Sequence, residues 1–143
     1  MIVRNKVRMV AKGYSQQNGI NYDEAFAPVA RIEDIRIFLA YAAHKNFKVY
    51  QMDIKFAFLN RILQEKVYVG KPEGFIYPEF PNHVYVLDKA LYGFKQAPQA
   101  WYDTLTNHLL DRGYKRGIVN TTLFLKKEGE DLLLIQIYVD TTI

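Results

Sequence analysis

Trp101, Leu105 and Leu109 recur at four-residue steps, behind Pro98 and ahead of Gly113. Only a helix lines up side chains at that spacing on one face. Proline fits the first helical turn, where its missing N–H is not needed, and glycine fits just past the last turn. A second run, Ile35, Phe38, Leu39 and Ala42, predicts a helix over 33–45 that ends at Asn46. Elsewhere the apolar period drops towards two. In residues 2–11, Arg4, Lys6 and Arg8 fall on one face of a strand, and Val3, Val7 and Met9 on the other. FKVYQMD, residues 47–53, reads as a strand closed by Asp53, with a helical turn over 54–59. Short strands follow at 67–69 and 84–87, around a Gly/Pro-punctuated loop at 70–83. Residues 121–127 and 132–139 form a hairpin about the EGED turn, and its return strand runs into Asp140. This order indicates an α+β fold with a mostly antiparallel sheet and helices packed on one face.

At 143 residues, with no linker or repeat, the chain reads as one continuous domain. It has no cysteine, which excludes disulfides, thiolate nucleophiles and Cys-type zinc sites. Its one serine, Ser15, lies in GYSQQ rather than in a strand-to-helix elbow. His44, His83 and His108 lack metal-ligand spacing. No phosphate-loop glycine pattern, bilayer-length apolar run or signal peptide is expected. The net charge is +4, and the first 22 residues carry Arg4, Lys6, Arg8 and Lys12 without an acid. This strip is either the solvated face of a half-buried strand or a track for phosphates.

Asp53 and Asp140 both close apolar strands. Such aspartates often serve as turn or capping residues. If the two strands adjoin, however, their carboxylates converge, and convergent carboxylates repel unless a cation lies between them. Hard oxygen donors without His or Cys suit magnesium. Two such ions about 4 Å apart support phosphoryl or nucleotidyl transfer.

QMDIKFAFLN, LYGFKQAPQAWY and IYVDTTI occur in that order, with VRMVAKGYSQQNGINYDEAFAPVARIEDIR ahead of them and VYVGKPEGF between the first two. Together these segments resemble the reverse transcriptases of copia-type LTR retrotransposons over nearly the whole chain. The resemblance implies the fingers and palm of a right-hand polymerase. It implies an RNA or DNA template-primer and deoxynucleoside triphosphates as partners, no membrane, and two magnesium ions as cofactor. In the intact family the segment is part of a Pol polyprotein that acts in cytoplasmic particles and the nucleus. By resemblance, Asp53 and Asp140 are the catalytic carboxylates and, with the carbonyl of Ile54, the metal ligands. Phe58 matches an aromatic gate against the ribose 2′-OH, and can also be read as core. Tyr92, Gly93 and Gln96 match the segment beneath the incoming base, although Tyr92, like Trp101, also reads as packing, and Lys95 and Gln96 as surface. Lys6 and Arg8 match residues that hold the triphosphate. Arg4 and Lys12 extend the strip towards nucleic acid.

The chain departs from this family at the turn that follows the last segment. Thr141 stands where the second aspartate of YVDD is expected. Arg61 replaces a usual glycine, and Lys-Pro-Glu-Gly at 71–74 replaces Gln-Pro-Pro-Gly. On this resemblance the next strand, the thumb and the RNase H region are expected to fall outside residues 1–143. These features lead to the expectation of a partial, inactive reverse-transcriptase domain. The alternatives are a non-catalytic nucleic-acid-binding remnant and a pseudogene product without function.

Overall fold

The computed structural model describes residues 7–22, 25–29, 31–59 and 61–139. The chain divides into two compact units. The first comprises Met1–Ala25 and Phe56–Ala100, the second Phe26–Lys55 and Trp101–Ile143.

The first unit is built on an antiparallel pair, β1 (Ile62–Val69) and β2 (Tyr85–Lys89). Val67 pairs with Leu87 and Val69 with Tyr85, and the register is irregular between Ile62 and Val67. Side chains alternate across a strand, so Val67 and Leu87 share the inward face, where Val67 is buried. Leu63, Val67, Ala90, Phe94 and Ala97 form the core, with Ala11, Phe58, Val69, Leu87 and Leu91 packed against it. The 3₁₀ turn Gly13–Ser15 lies in the same unit. Arg61, the departure from glycine, donates from Nε to the Ala57 carbonyl at 3.2 Å and closes the turns at 55–59.

The second unit holds α1 (Ile32–His44) and the antiparallel sheet β3 (Lys115–Arg116), β4 (Leu123–Glu128) and β5 (Asp131–Gln136), in the order β3-β4-β5. Glu33 and Asp34 lie in the first turn of α1, where carboxylates complement the exposed N–H groups. Asn46, at φ 55°, ends the helix. Its N–H reaches the Ala43 carbonyl, and the Phe47 N–H reaches that of Ala42. The Phe47 ring meets Tyr41 edge-on at 6.0 Å, which completes a Schellman stop with its apolar contact. The helix Ala97–Asp111, α2, ends in the same way: Gly113 has φ 81°, and the Tyr114 N–H returns to Leu109.

Three expectations need correction. The described strands make two separate sheets, not one. FKVYQMD at 47–53 pairs with none of the described strands, and Tyr50 and Met52 are exposed. Within 2–11, residues 2–6 lie outside the described residues, and the remainder makes only an isolated parallel bridge, Val10 with Tyr92. In the second unit, α1 faces one side of the sheet. Ile37, Phe38 and Tyr41 of α1 line a cleft of about 540 Å³ with Leu123, Leu125 and Leu134. Phe124 projects to the opposite face and is fully buried.

Candidate nucleotide site

In the first unit, two stretches of chain far apart in sequence cross at van der Waals contact or closer. The Ala11 N–H donates to the Tyr92 carbonyl at 2.7 Å. A Cβ on Gly13 would lie 2.0 Å from the Gly93 oxygen, and one on Gly93 would lie 2.1 Å from the Ala11 oxygen. Gly93 also has φ 93°, which L side chains rarely adopt. Only two glycines allow this crossing. Past it, the Lys95 N–H donates to Gln16 Oε1 at 3.1 Å, and Lys95 Nζ donates to the Gln16 carbonyl at 2.8 Å. The same ammonium lies over the Tyr22 ring, 5.7 Å from its centre.

The side chains above this crossing are those singled out for nucleotide binding. The Tyr92 ring meets Phe58 edge-on at 5.2 Å, and the Arg8 guanidinium lies 5.6 Å from the Tyr92 ring centre. Phe58 also packs on the core of the first unit, as its core reading expects. Gln96 is buried, and neither atom of its amide has a partner among the described residues. Lys12 is exposed beside the crossing. Arg8, Phe58, Tyr92 and Gly93 are thus brought together. Sequence reading missed Gly13 and Gln16 and left Lys95 as surface. The signal for the first two was the GYSQ string, a glycine with no loop to serve.

The carboxylates stand differently. Asp53 and Ile54 are exposed, in the second unit. Asp140, Thr141, Lys6 and Arg4 lie outside the described residues. The chain leading to Asp140 is well held: buried Val139 donates its N–H to the carbonyl of buried Pro28 at 2.7 Å, and the Ile137 N–H reaches Thr122. Among the described residues, no three His, Cys, Asp or Glu side chains gather in a way that holds a metal ion. The described donor set is one exposed carboxylate, which does not by itself build a two-ion magnesium site.

The family described as reverse transcriptase (RNA-dependent DNA polymerase) matches residues 1–143, the full chain. The chain belongs to the reverse transcriptase family. Among its curated relatives, the retrovirus-related Pol polyprotein from transposon RE1 of Arabidopsis thaliana is 44% identical over 96% of this chain. The corresponding protein of transposon RE2 from the same plant is 42% identical over 96%, and that of transposon TNT 1-94 from Nicotiana tabacum is 37% identical over 97%. The match covers 9%, 9% and 10% of those relatives, so this reverse transcriptase segment spans about a tenth of their length. The copia-type assignment made from the motifs therefore holds. No solved structure matches the chain.

Proposed function

We propose that this reverse transcriptase segment carries the nucleotide-binding part of a fingers-and-palm polymerase domain, and that as it stands it is catalytically impaired. The observation that carries the reading is the collinear family match over 1–143, which takes in all three catalytic segments at once. In this reading Arg8 and Lys6 meet the triphosphate, and Tyr92, Gly93 and Gln96 lie beneath the base. The Phe58 ring, steadied by Tyr92 at 5.2 Å, excludes a ribose 2′-OH by occupying its volume. Arg4 and Lys12 follow the backbone of an RNA or DNA template-primer. Asp53, the Ile54 carbonyl and Asp140 are hard oxygen donors of the kind magnesium takes, and a bound ion would supply Lewis-acid chemistry there. Thr141 offers a neutral hydroxyl where the family pattern has a third carboxylate, so one negative charge is missing.

Primer extension tests this. Wild-type chain is expected near background, and Thr141→Asp about 100-fold higher, the scale on which misplaced reacting groups lose rate. Adding Asp53→Asn to the repaired chain should return it to background. Wild-type extension equal to that of Thr141→Asp would remove the impairment. If neither form extends a primer or binds one at low salt, the polymerase reading is wrong. A second reading is favoured by Thr141 itself: binding of nucleic acid without catalysis, which weakens with salt and needs no magnesium.

A further inference from the structure

We propose that Gln16 is a positioning residue for deoxynucleotide binding, acting through the turn at 92–96. The inference rests on the nucleotide reading of that turn. Gln16 ends the 3₁₀ turn Gly13–Ser15, and its N–H returns to the Gly13 carbonyl at 3.1 Å. Its side chain and carbonyl both serve a residue 79 positions away: Oε1 accepts the Lys95 N–H, and the main-chain oxygen accepts Lys95 Nζ. A contact between two glycines has no side chain to interlock, so nothing in it stops one backbone sliding along the other. The Ala11–Tyr92 hydrogen bond pins one end of the crossing, and the Gln16–Lys95 pair pins the other. Between these pins lie Tyr92, Gly93 and Phe94. Phe94 is anchored in the core, and the Tyr92 ring bears on Phe58 and on the Arg8 guanidinium. A shift of this turn therefore moves the wall that meets the sugar and a cation that meets the phosphates.

The acceptor, not the residue's bulk, is what the geometry uses. Gln16→Leu removes it, whereas Gln16→Glu keeps an oxygen at the same reach. In equilibrium binding of dATP and ATP to the full chain, Gln16→Leu should weaken dATP by about 5- to 10-fold, the scale of one lost hydrogen bond. It should also move the dATP-to-ATP preference towards one. Gln16→Glu should keep both values within about twofold of wild type, a change too small to count as a lost bond. Circular dichroism melting accompanies each variant. If Gln16→Leu fails to fold, Lys95→Met supplies the test: it removes the Nζ bond, keeps the Lys95 N–H bond, and should lower the preference in the same direction. Wild-type affinity and preference in Gln16→Leu would overturn the inference, as would equal losses in Gln16→Leu and Gln16→Glu. Failure of the wild-type chain to bind dATP at all would instead overturn the nucleotide reading, and the inference with it.

Discussion

Gly93 carries two constraints at one residue, a positive φ and a backbone oxygen where its side chain would go. Relief of such an overlap has to come from the backbone, because the nearest atom is the Ala11 carbonyl oxygen rather than the end of a flexible side chain. Gly93→Ala should therefore cost about 1–3 kcal/mol, the usual penalty of overpacking, and lower the urea midpoint accordingly. Gly70 is the internal comparison: nothing lies within 4 Å of a Cβ built there, and its φ is not in the left-handed region. Gly70→Ala should stay within about 0.5 kcal/mol of wild type. Equal losses at the two positions would show that the crossing at Gly13 and Gly93 is not tight. The sequence alone does not separate these glycines. Their difference lies in a partner some 80 residues away, and only the family string around GYSQ hinted at a use for Gly13.

Elements whose ends are decided locally were the readable ones. Asn46 and Gly113 both terminate helices in the left-handed region, and each is visible as a break in an apolar period. Asn pays less than most residues for φ 55° but more than Gly. Asn46→Ala should destabilise the second unit by about 1 kcal/mol, and Asn46→Gly should be neutral or slightly stabilising in thermal denaturation. Reversal of that order would mean that the Asn46 side chain, not its backbone angle, holds the helix end. The strand expected at 47–53 shows the opposite case. FKVYQMD has strand composition, but a strand exists only where its N–H and C=O groups find a neighbour, and among the described strands none takes it. The same non-local rule extended β1 back to Ile62, through a polar stretch, because Ile62 pairs with Lys89. It also bears on the candidate site. Phe58, Tyr92 and Gly93 could be singled out because the family pattern fixes them in short strings, whereas Gly13 could not. A meeting of Asp53 with Asp140, by contrast, is not legible in any short string, because it would require non-local strand pairing.

Across the whole molecule, a net charge of +4 is only mildly basic, so the placement of the cations is what a binding measurement has to probe. No helix among the described residues is long and apolar enough to cross a membrane. Arg8 and Lys12 flank the crossing that carries Tyr92, whereas Lys66 and Lys127 are exposed on β1 and β4. The two pairs carry the same charge, so exchanging either for glutamine changes the net charge equally. Counterion release distinguishes them, because only lysines and arginines that sit on phosphates contribute to the salt slope. In fluorescence anisotropy with a primed duplex over a potassium chloride series, Arg8→Gln with Lys12→Gln should flatten the slope of log K against log salt by about 2. Lys66→Gln with Lys127→Gln should leave that slope unchanged. If both pairs flatten it alike, the chain binds through its overall charge, and the strip at the N-terminus is only the solvated face of its segment.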